Sequence, residues 1–468
     1  MSTLLAPPQA DGTSAATSRT LRHGPRHIRH KARPWGPSAA ALAVGVGLGA
    51  SVALPLRQAS TPALSTLSGK LLLAGNMTAM AGTYLLLVVV LLAGRVPLVE
   101  RAIGQDKLVR WHRLLAPAPL LLLGAHAVLT TIGYALPLHR SFLTEAVSLS
   151  RTMEWVFAGI VAYAMLVGIS LVSLRAVRRR MSYDTWWVVH LYTYLALALS
   201  VPHQVQDGTS FLGDPLAKVG WALLWLATAG VVVAYRVLVP AYKSLHHRLE
   251  VVAIEQEAPG VISVVMAGRD IEHLAVAGGQ YFAWRFLARG LWWHAHPFSL
   301  SAMPAPPYLR VTIKTVGDTT RSLARLPVGT KVAFEGPYGA MTDAARRGDK
   351  VALVGAGVGI TPLRAVLEDL PAGVDVVVVH RASKREHLVH NEELRHHLAG
   401  RRGQLVELVG PRSKHRLERP SVLESIVPDL ASRDLFVCGP DGFARSVIAA
   451  ARHIGVPVEA IHKESFAF

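Results

Sequence analysis

At 468 residues the chain is too long for one ordinary domain, and its single cysteine, Cys438, excludes an internal disulfide and a cysteine-built zinc or iron–sulfur site. Its formal charge of +18 invites a nucleic-acid reading. No basic motif is interleaved with aromatics, however, and much of the excess flanks long apolar runs, so the charge reads as membrane topology and excludes nucleic acid as partner.

Residues 1–36 carry Arg19, Arg22, Arg26, Arg29, Lys31 and Arg33 against Asp11 alone, the composition of a disordered basic tail. No small-residue cleavage site follows a short apolar core, so the tail is expected to stay on the cytoplasmic side. Apolar windows near 38–57, 71–93, 109–133, 154–174, 185–202 and 218–239 each suit about 20 residues crossing about 30 Å of hydrocarbon. They predict a six-span region over 37–240. The segments holding Arg95, Arg101 and Lys107, then Arg175, Arg178, Arg179 and Arg180, then Arg236 and Lys243, are basic like the tail. The alternate segments carry fewer cations, so both termini and the second half are expected to face the cytoplasm across the plasma membrane. Gly45, Gly47 and Gly49 lie within an apolar helix and read as close packing against a neighbour.

The third and fifth windows each hold two histidines, His112 and His126, then His190 and His203. Separations of 14 and 13 residues approximate four helical turns, so each pair returns to nearly one face about 20 Å apart at about 1.5 Å per residue. The two spans run the same way, which sets His112 level with His190 and His126 level with His203. Two stacked bis-histidine sites suit two b-type haems in series. Zinc fits less well, since it needs about four converging ligands. Pro117 and Pro119 are expected to kink the third span, and His139 reads as loop.

From residue 245 onward charge is evenly spread and strand-length apolar segments appear. Residues 249–267 read as a hairpin around Ala258-Pro259-Gly260, and Leu309 to Val316 alternates with period two, predicting an antiparallel barrel over 245–342. Within it, Pro297 and Phe298 offer a surface for a flavin ring and Ser299 a hydroxyl near its N5. Gly317, Thr319 and Thr320 offer donors for a pyrophosphate.

Residues 348–468 open with an apolar strand, Val351 to Val354, running through Gly355, Gly357 and Gly359 into a helix. Thr361 is expected at its N-cap and Pro362 in its first turn. Glycines admit a phosphate close to the backbone and the helix N-terminus attracts it. Arg381, Lys384 and Arg385 cluster past a second strand and favour the 2′-phosphate of NADPH over NADH. Asp434 to Phe443 predicts another strand ending in Cys438-Gly439-Pro440, with the thiol beside the nicotinamide. At the C-terminus Phe466 or Phe468 is placed to cover the flavin ring.

The paired histidines, HPFSLS (His296 to Ser301), GDTT (Gly317 to Thr320), GPYG (Gly336 to Gly339), GAGVGITP, CGPDGF and the terminal KESFAF together resemble the NADPH oxidase and ferric reductase superfamily over roughly 38–468. The resemblance implies a multi-domain fold: a six-helix transmembrane haem-binding bundle, an antiparallel β-barrel FAD domain, then an α/β Rossmann-like NAD(P)-binding domain. It implies that His296 to Leu300 with Gly317 to Thr320 hold FAD, that the Gly355 to Pro362 loop with Cys438 to Pro440 hold NAD(P)H, and that Phe466 is the ring-covering aromatic. The implied activity moves electrons from cytoplasmic NADPH or NADH through FAD and two haems to an extracytoplasmic acceptor, dioxygen or a ferric or cupric chelate. The competing readings are a haem-free membrane anchor for a flavin dehydrogenase serving quinone or a protein partner, and a membrane scaffold that only senses redox state.

Overall fold

The computed structural model of the protein describes residues 36–211 and 213–465. The basic tail lies outside the described residues. The N-terminal half is helical: α1 (Gly36–Gln58), α2 (Leu67–Leu92), α3 (Gln105–Leu115), α4 (Pro117–Ala135), α5 (Phe142–Thr152), α6 (Val156–Ser173), α7 (Tyr183–Gln206), α8 (Pro215–Val233) and, after a π-helical turn, α9 (Val239–His247). Long leucine-, valine- and alanine-rich runs satisfy every backbone group locally, which is what a hydrocarbon surround demands.

Among the described residues, five segments are long and apolar enough to cross a membrane: Ser38–Gln58, Leu67–Leu92, Lys107–Leu138, Val156–Ser173 and Pro215–His247. The sequence predicts six. The sixth, α7, is a helix of 24 residues at the expected place, but Trp186, His190, Tyr192, Tyr194, His203 and Gln204 lower its hydropathy. The third expected span does break where its prolines begin, at Ala116 between α3 and α4.

Small residues bring these helices together. A Cβ on Gly75 would lie 2.6 Å from Thr130, one on Gly133 2.8 Å from Leu72, and one on Gly82 3.0 Å from Leu123, so α2 and α4 approach almost backbone to backbone. Gly47 on α1 meets Tyr84 on α2 in the same way, whereas Gly45 and Gly49 face open space, so only the middle glycine of that run is a packing contact.

The second half holds two sheets. β1 (Leu249–Ala258), β2 (Val261–Ala267), β3 (Tyr281–Phe286), β4 (His296–Ser299), β5 (Tyr308–Lys314) and β6 (Lys331–Tyr338) form an antiparallel sheet of order β4-β3-β6-β1-β2-β5. The expected hairpin turns at Gly260, whose φ of 71° suits a residue without a Cβ. A Leu300–Val311 bridge joins the end of β4 to β5 and closes the sheet on a core of Trp284, Phe282, Phe286, Phe334 and Met266.

β7 (Lys350–Ala356), β8 (Asp375–Ala382), β9 (Gly403–Val409), β10 (Asp434–Gly439) and β11 (Ile461–Ser465) form a wholly parallel sheet of order β11-β10-β7-β8-β9. The central strands β7, β8 and β10 carry apolar runs buried on both faces, as helix-covered parallel strands must be. The chain order reverses between β7 and β10, and ligands bind in the crevice at the carboxyl ends of such neighbours.

Candidate functional site

The four membrane histidines meet in the two expected pairs. His112 and His190 stand with ring centroids 6.2 Å apart, and His126 and His203 with centroids 6.3 Å apart. Two imidazole nitrogens each about 2 Å from a shared metal ion, with ring centres roughly 1 Å behind them, would set the centroids about 6 Å apart. Second partners orient three of the rings. His112 Nδ1 lies 2.9 Å from the Val89 carbonyl, His126 Nδ1 3.0 Å from the Gly75 carbonyl, and His203 Nδ1 3.3 Å from Asp207 Oδ2. An Nδ1–H donated in this way leaves Nε2 as the lone-pair nitrogen, the arrangement that supports metal ligands. His190 stacks on Trp186 at 5.1 Å, and its buried Nδ1 has no partner among the described residues. The donor set fits two haems, one between each pair.

Below them, β4 carries the flavin motif. Successive strand residues point to opposite faces, so Pro297 and Phe298 do not form one platform as expected. Phe298 shares a face with His296, stacked at 6.0 Å and 11°, while Pro297 shares the other with Ser299. The Ser299 hydroxyl and His296 Nε2 are buried without a partner among the described residues. The two atoms face opposite ways, so it is the unpaired Ser299 hydroxyl, on the face it shares with Pro297, that marks a place where a ligand completes the hydrogen bonding, and these residues fit a flavin there. Burial and the neighbouring His294 and Arg285 push His296 down to about 4.

That shift has a measurable consequence. Unfolded chains protonate histidine near pH 6.5, so between about 4 and 6.5 the unfolded state holds the extra proton and stability rises with pH. His296→Asn is expected to flatten this acid limb by up to roughly 3 kcal/mol, measured as thermal midpoints of flavin-free protein against pH.

The Gly317–Thr320 turn differs in part from expectation. The Thr320 hydroxyl accepts from the Val316 and Gly317 amides and donates to the Gly317 carbonyl, capping the six-residue helix Asp318–Leu323. That hydroxyl and the Gly317 amide hold the turn together, which leaves half-buried Thr319 for a phosphate.

At the switch point the two nucleotide motifs touch. A Cβ on Gly359 would lie 2.5 Å from the Cys438 carbonyl, and one on Gly439 3.2 Å from Ala356, so both glycines are required for the loops to meet. Gly357, at φ 56°, faces open space, and Gly355 abuts Ile360. The helix following β7, Ile360–Asp369, is N-capped by Gly359. Thr361 is its second residue and donates to the Val358 carbonyl, because a short 3-10 turn over Gly357–Gly359 starts the winding early. Pro362 is buried in the first turn as expected.

Arg381 pairs with Ala356 in the β7–β8 register, beside the glycine loop, and its guanidinium donates to the Gly410 carbonyl. Lys384 and Arg385 pair with Glu386 and Glu407. Cys438 ends β10 as expected, but its thiol is wholly enclosed in the core with Leu353 and Leu363, and burial pushes it far up, so it is a neutral packing residue. Pro440 leads directly into the helix Asp441–Ile454. Phe466 and Phe468 lie outside the described residues. The last described residue, Ser465, pairs with Gly439.

Residues 78–201 match the family described as ferric reductase like transmembrane component, and residues 248–342 match the family described as FAD-binding domain. The chain is also 24% identical over 208 residues to putative respiratory burst oxidase homolog protein G of Arabidopsis thaliana, covering 40% of this chain and 24% of that one. The two matched domains, in this order, fit the NADPH oxidase and ferric reductase superfamily.

The chain is also 29% identical over 187 residues to a glycine betaine monooxygenase reductase subunit of Chromohalobacter salexigens, covering 36% of its own length and 50% of that relative. It spans half or less of the curated relatives it matches. Among solved structures it resembles the cytochrome P450 reductase GcoB of Amycolatopsis at 18% identity, 47% and 69% coverage and a TM-score of 0.40.

A feature that the sequence conceals is a charge cluster where the barrel meets the helices. Glu335, 6% exposed on β6, receives Arg95 and Arg236 at 3.1 and 3.0 Å on one oxygen and Arg285 at 3.4 Å on the other. Arg95 lies over the Tyr338 ring at 4.4 Å, and Lys243 donates to the Gly336 carbonyl at 2.7 Å. Three of these cations had been legible only as topology signals, and nothing in their spacing points to a common carboxylate. The histidines' carbonyl partners were equally hidden, whereas Asp207, four residues after His203, was visible as a helical neighbour.

Proposed function

We propose that the protein is a transmembrane oxidoreductase that moves electrons from NAD(P)H on the basic, cytoplasmic side through FAD and two b-type haems to an acceptor beyond the membrane. The reading counts α7 as a sixth span and places both termini in the cytoplasm. The observation that supports it is the pairing of His112 with His190 and of His126 with His203, whose ring centroids stand 6.2 and 6.3 Å apart, so that each pair could hold one metal ion between them. A bound flavin would supply the conversion of two-electron into one-electron transfer, and bound haems would supply single-electron carriage.

The protein's own residues position and insulate. Gly357 leaves the backbone open to a dinucleotide phosphate, Gly355, Gly359 and Gly439 let the loops pack closely around it, and Arg381 lies beside them for the 2′-phosphate of NADPH. Pro297 and Ser299, on one face of β4, would hold the flavin together with Thr319, and the Ser299 hydroxyl would be a hydrogen-bond partner for it. Val89, Gly75 and Asp207 hold the imidazoles in the liganding tautomer.

An optical spectrum of the reduced, purified protein tests the proposal. A b-type haem band from two haems per chain is expected, and its absence from folded protein would return the haem-free flavin dehydrogenase reading. Superoxide yield set against ferric-chelate reduction then distinguishes the acceptors. Ser299→Ala is expected to slow flavin reduction by NADPH roughly tenfold, the worth of one hydrogen bond, with flavin retained, as read by stopped-flow bleaching of the flavin.

A further inference from the structure

Between β3 and β4 the flavin barrel turns large apolar side chains outward. Trp292 is 62% exposed, Leu287 49% and Trp293 36%. A cluster of this kind on an otherwise well-packed domain marks a contact surface. Its level relative to the membrane helices is set by two contacts. His294 Nδ1 lies 2.8 Å from Asp184 Oδ1, in the first turn of α7. Two residues further along α7, Trp186 Nε1 donates to Ser173 Oγ at 3.1 Å. Ser173 ends α6, one of the five helices apolar enough to span.

At about 1.5 Å per residue, Asp184 therefore lies roughly 3 Å beyond the end of that span. The loop tied to it sits where α6 leaves the hydrocarbon, the depth at which tryptophan is enriched because its ring is apolar and its N–H is not. A groove of about 440 Å³ opens alongside, lined by Ser182, Asp184, Thr185, Val188, Val189 and Trp293. Its polar residues belong to the start of α7 and its valines lie a turn deeper, the polarity gradient of a phospholipid. Exposed Arg175, Arg179 and Arg180 just before α7 supply positive charge for anionic headgroups on this side.

We propose that Leu287, Trp292 and Trp293 insert into the headgroup layer of the leaflet facing the flavin barrel, and that the groove beside them seats one phospholipid of that leaflet. This rests on the helices spanning a bilayer, as proposed above. The barrel is thereby held on the membrane surface by lipid as well as by the Glu335 cluster.

Cys438 is the sole natural cysteine and is fully buried, so introduced cysteines can be labelled selectively. The test uses the full chain in nanodiscs of phosphatidylcholine and phosphatidylglycerol, with a nitroxide at Trp292→Cys. Leu121→Cys, 74% exposed on α4, is the lipid reference, and Val458→Cys, 59% exposed near β11, the aqueous one. The ratio of collisions with oxygen to collisions with a soluble nickel chelate is expected to be roughly threefold or more above that at Val458 and below that at Leu121.

A label at Trp292→Cys that matches Val458→Cys while Leu121→Cys stays in lipid overturns the proposal. So does a label shielded from both reagents, which denotes a protein contact. If Leu121→Cys is itself aqueous, the membrane reading beneath the proposal fails instead. For the groove, native mass spectrometry is expected to show one retained phospholipid that Val188→Trp displaces, and equal retention in both proteins overturns that half.

Discussion

His126→Ala is expected to remove about half of the reduced b-type haem absorbance while NADPH continues to bleach the flavin at the unmodified rate. His126 and His203 are the only histidines paired at the far level among the described residues, and the Gly75 carbonyl that aims His126 cannot itself bind iron. Alanine leaves one axial ligand and an apolar void in its place. The near pair, His112 and His190, sits on different turns of the same helices and keeps its own partner at Val89, so it is expected to retain its haem. Reduction of any acceptor beyond the membrane should fall to background. A graded version is Asp207→Asn, which preserves the ligand and weakens its orientation, with an expected 10- to 100-fold loss of affinity at the far site. Loss of both haems on His126→Ala would show that the pairs are not independent, and loss of flavin reduction would show that the substitution disrupts folding rather than the site.

Glu335→Ala is expected to disconnect the dehydrogenase from the membrane helices. The carboxylate is nearly buried and gathers Arg95 from the turn after α2, Arg236 from the π-helical turn and Arg285 from β3. Removing one member of such a cluster leaves three guanidinium groups facing one another with little water, and breaking a buried pair costs about 3–5 kcal/mol. The barrel core of Trp284, Phe282 and Phe334 lies on the other side of β6 and should stay folded. Electron delivery from NADPH to a soluble dye is therefore expected to survive, while haem reduction slows at least tenfold and the thermal midpoint of the whole protein falls. The charge-reversed pair Glu335→Arg with Arg236→Glu should recover part of the loss. Equal loss of dye and haem reduction would place Glu335 in barrel folding rather than in docking.

The histidine spacing, the glycine loops and the strand alternation could be read directly because each depends on local periodicity. Fourteen residues bring a helix back to one face wherever that helix lies, and glycine before a helix is informative wherever a strand precedes it. The count of spans was less legible. The six windows were visible as apolar runs, yet α7 carries the tryptophans, tyrosines and histidines that its position among the other helices accommodates, and its hydropathy falls accordingly. Local reading also failed where one residue serves its own turn. Thr320 and Thr361 are spent on neighbouring backbone groups rather than on a ligand, and Cys438 faces the core rather than the crevice.

By itself, then, the sequence determined the kinds of element, their order and the levels of the four histidines. All of these follow from interactions a few residues apart. Only the tertiary structure decided that Val89, Gly75 and Asp207 aim the imidazoles, that Glu335 collects arginines from three separate segments, and that Gly359 must be bare to meet the Cys438 carbonyl. Those contacts join residues up to 240 positions apart. Such pairings are created by packing and leave no period or spacing in the chain for a linear reading to find.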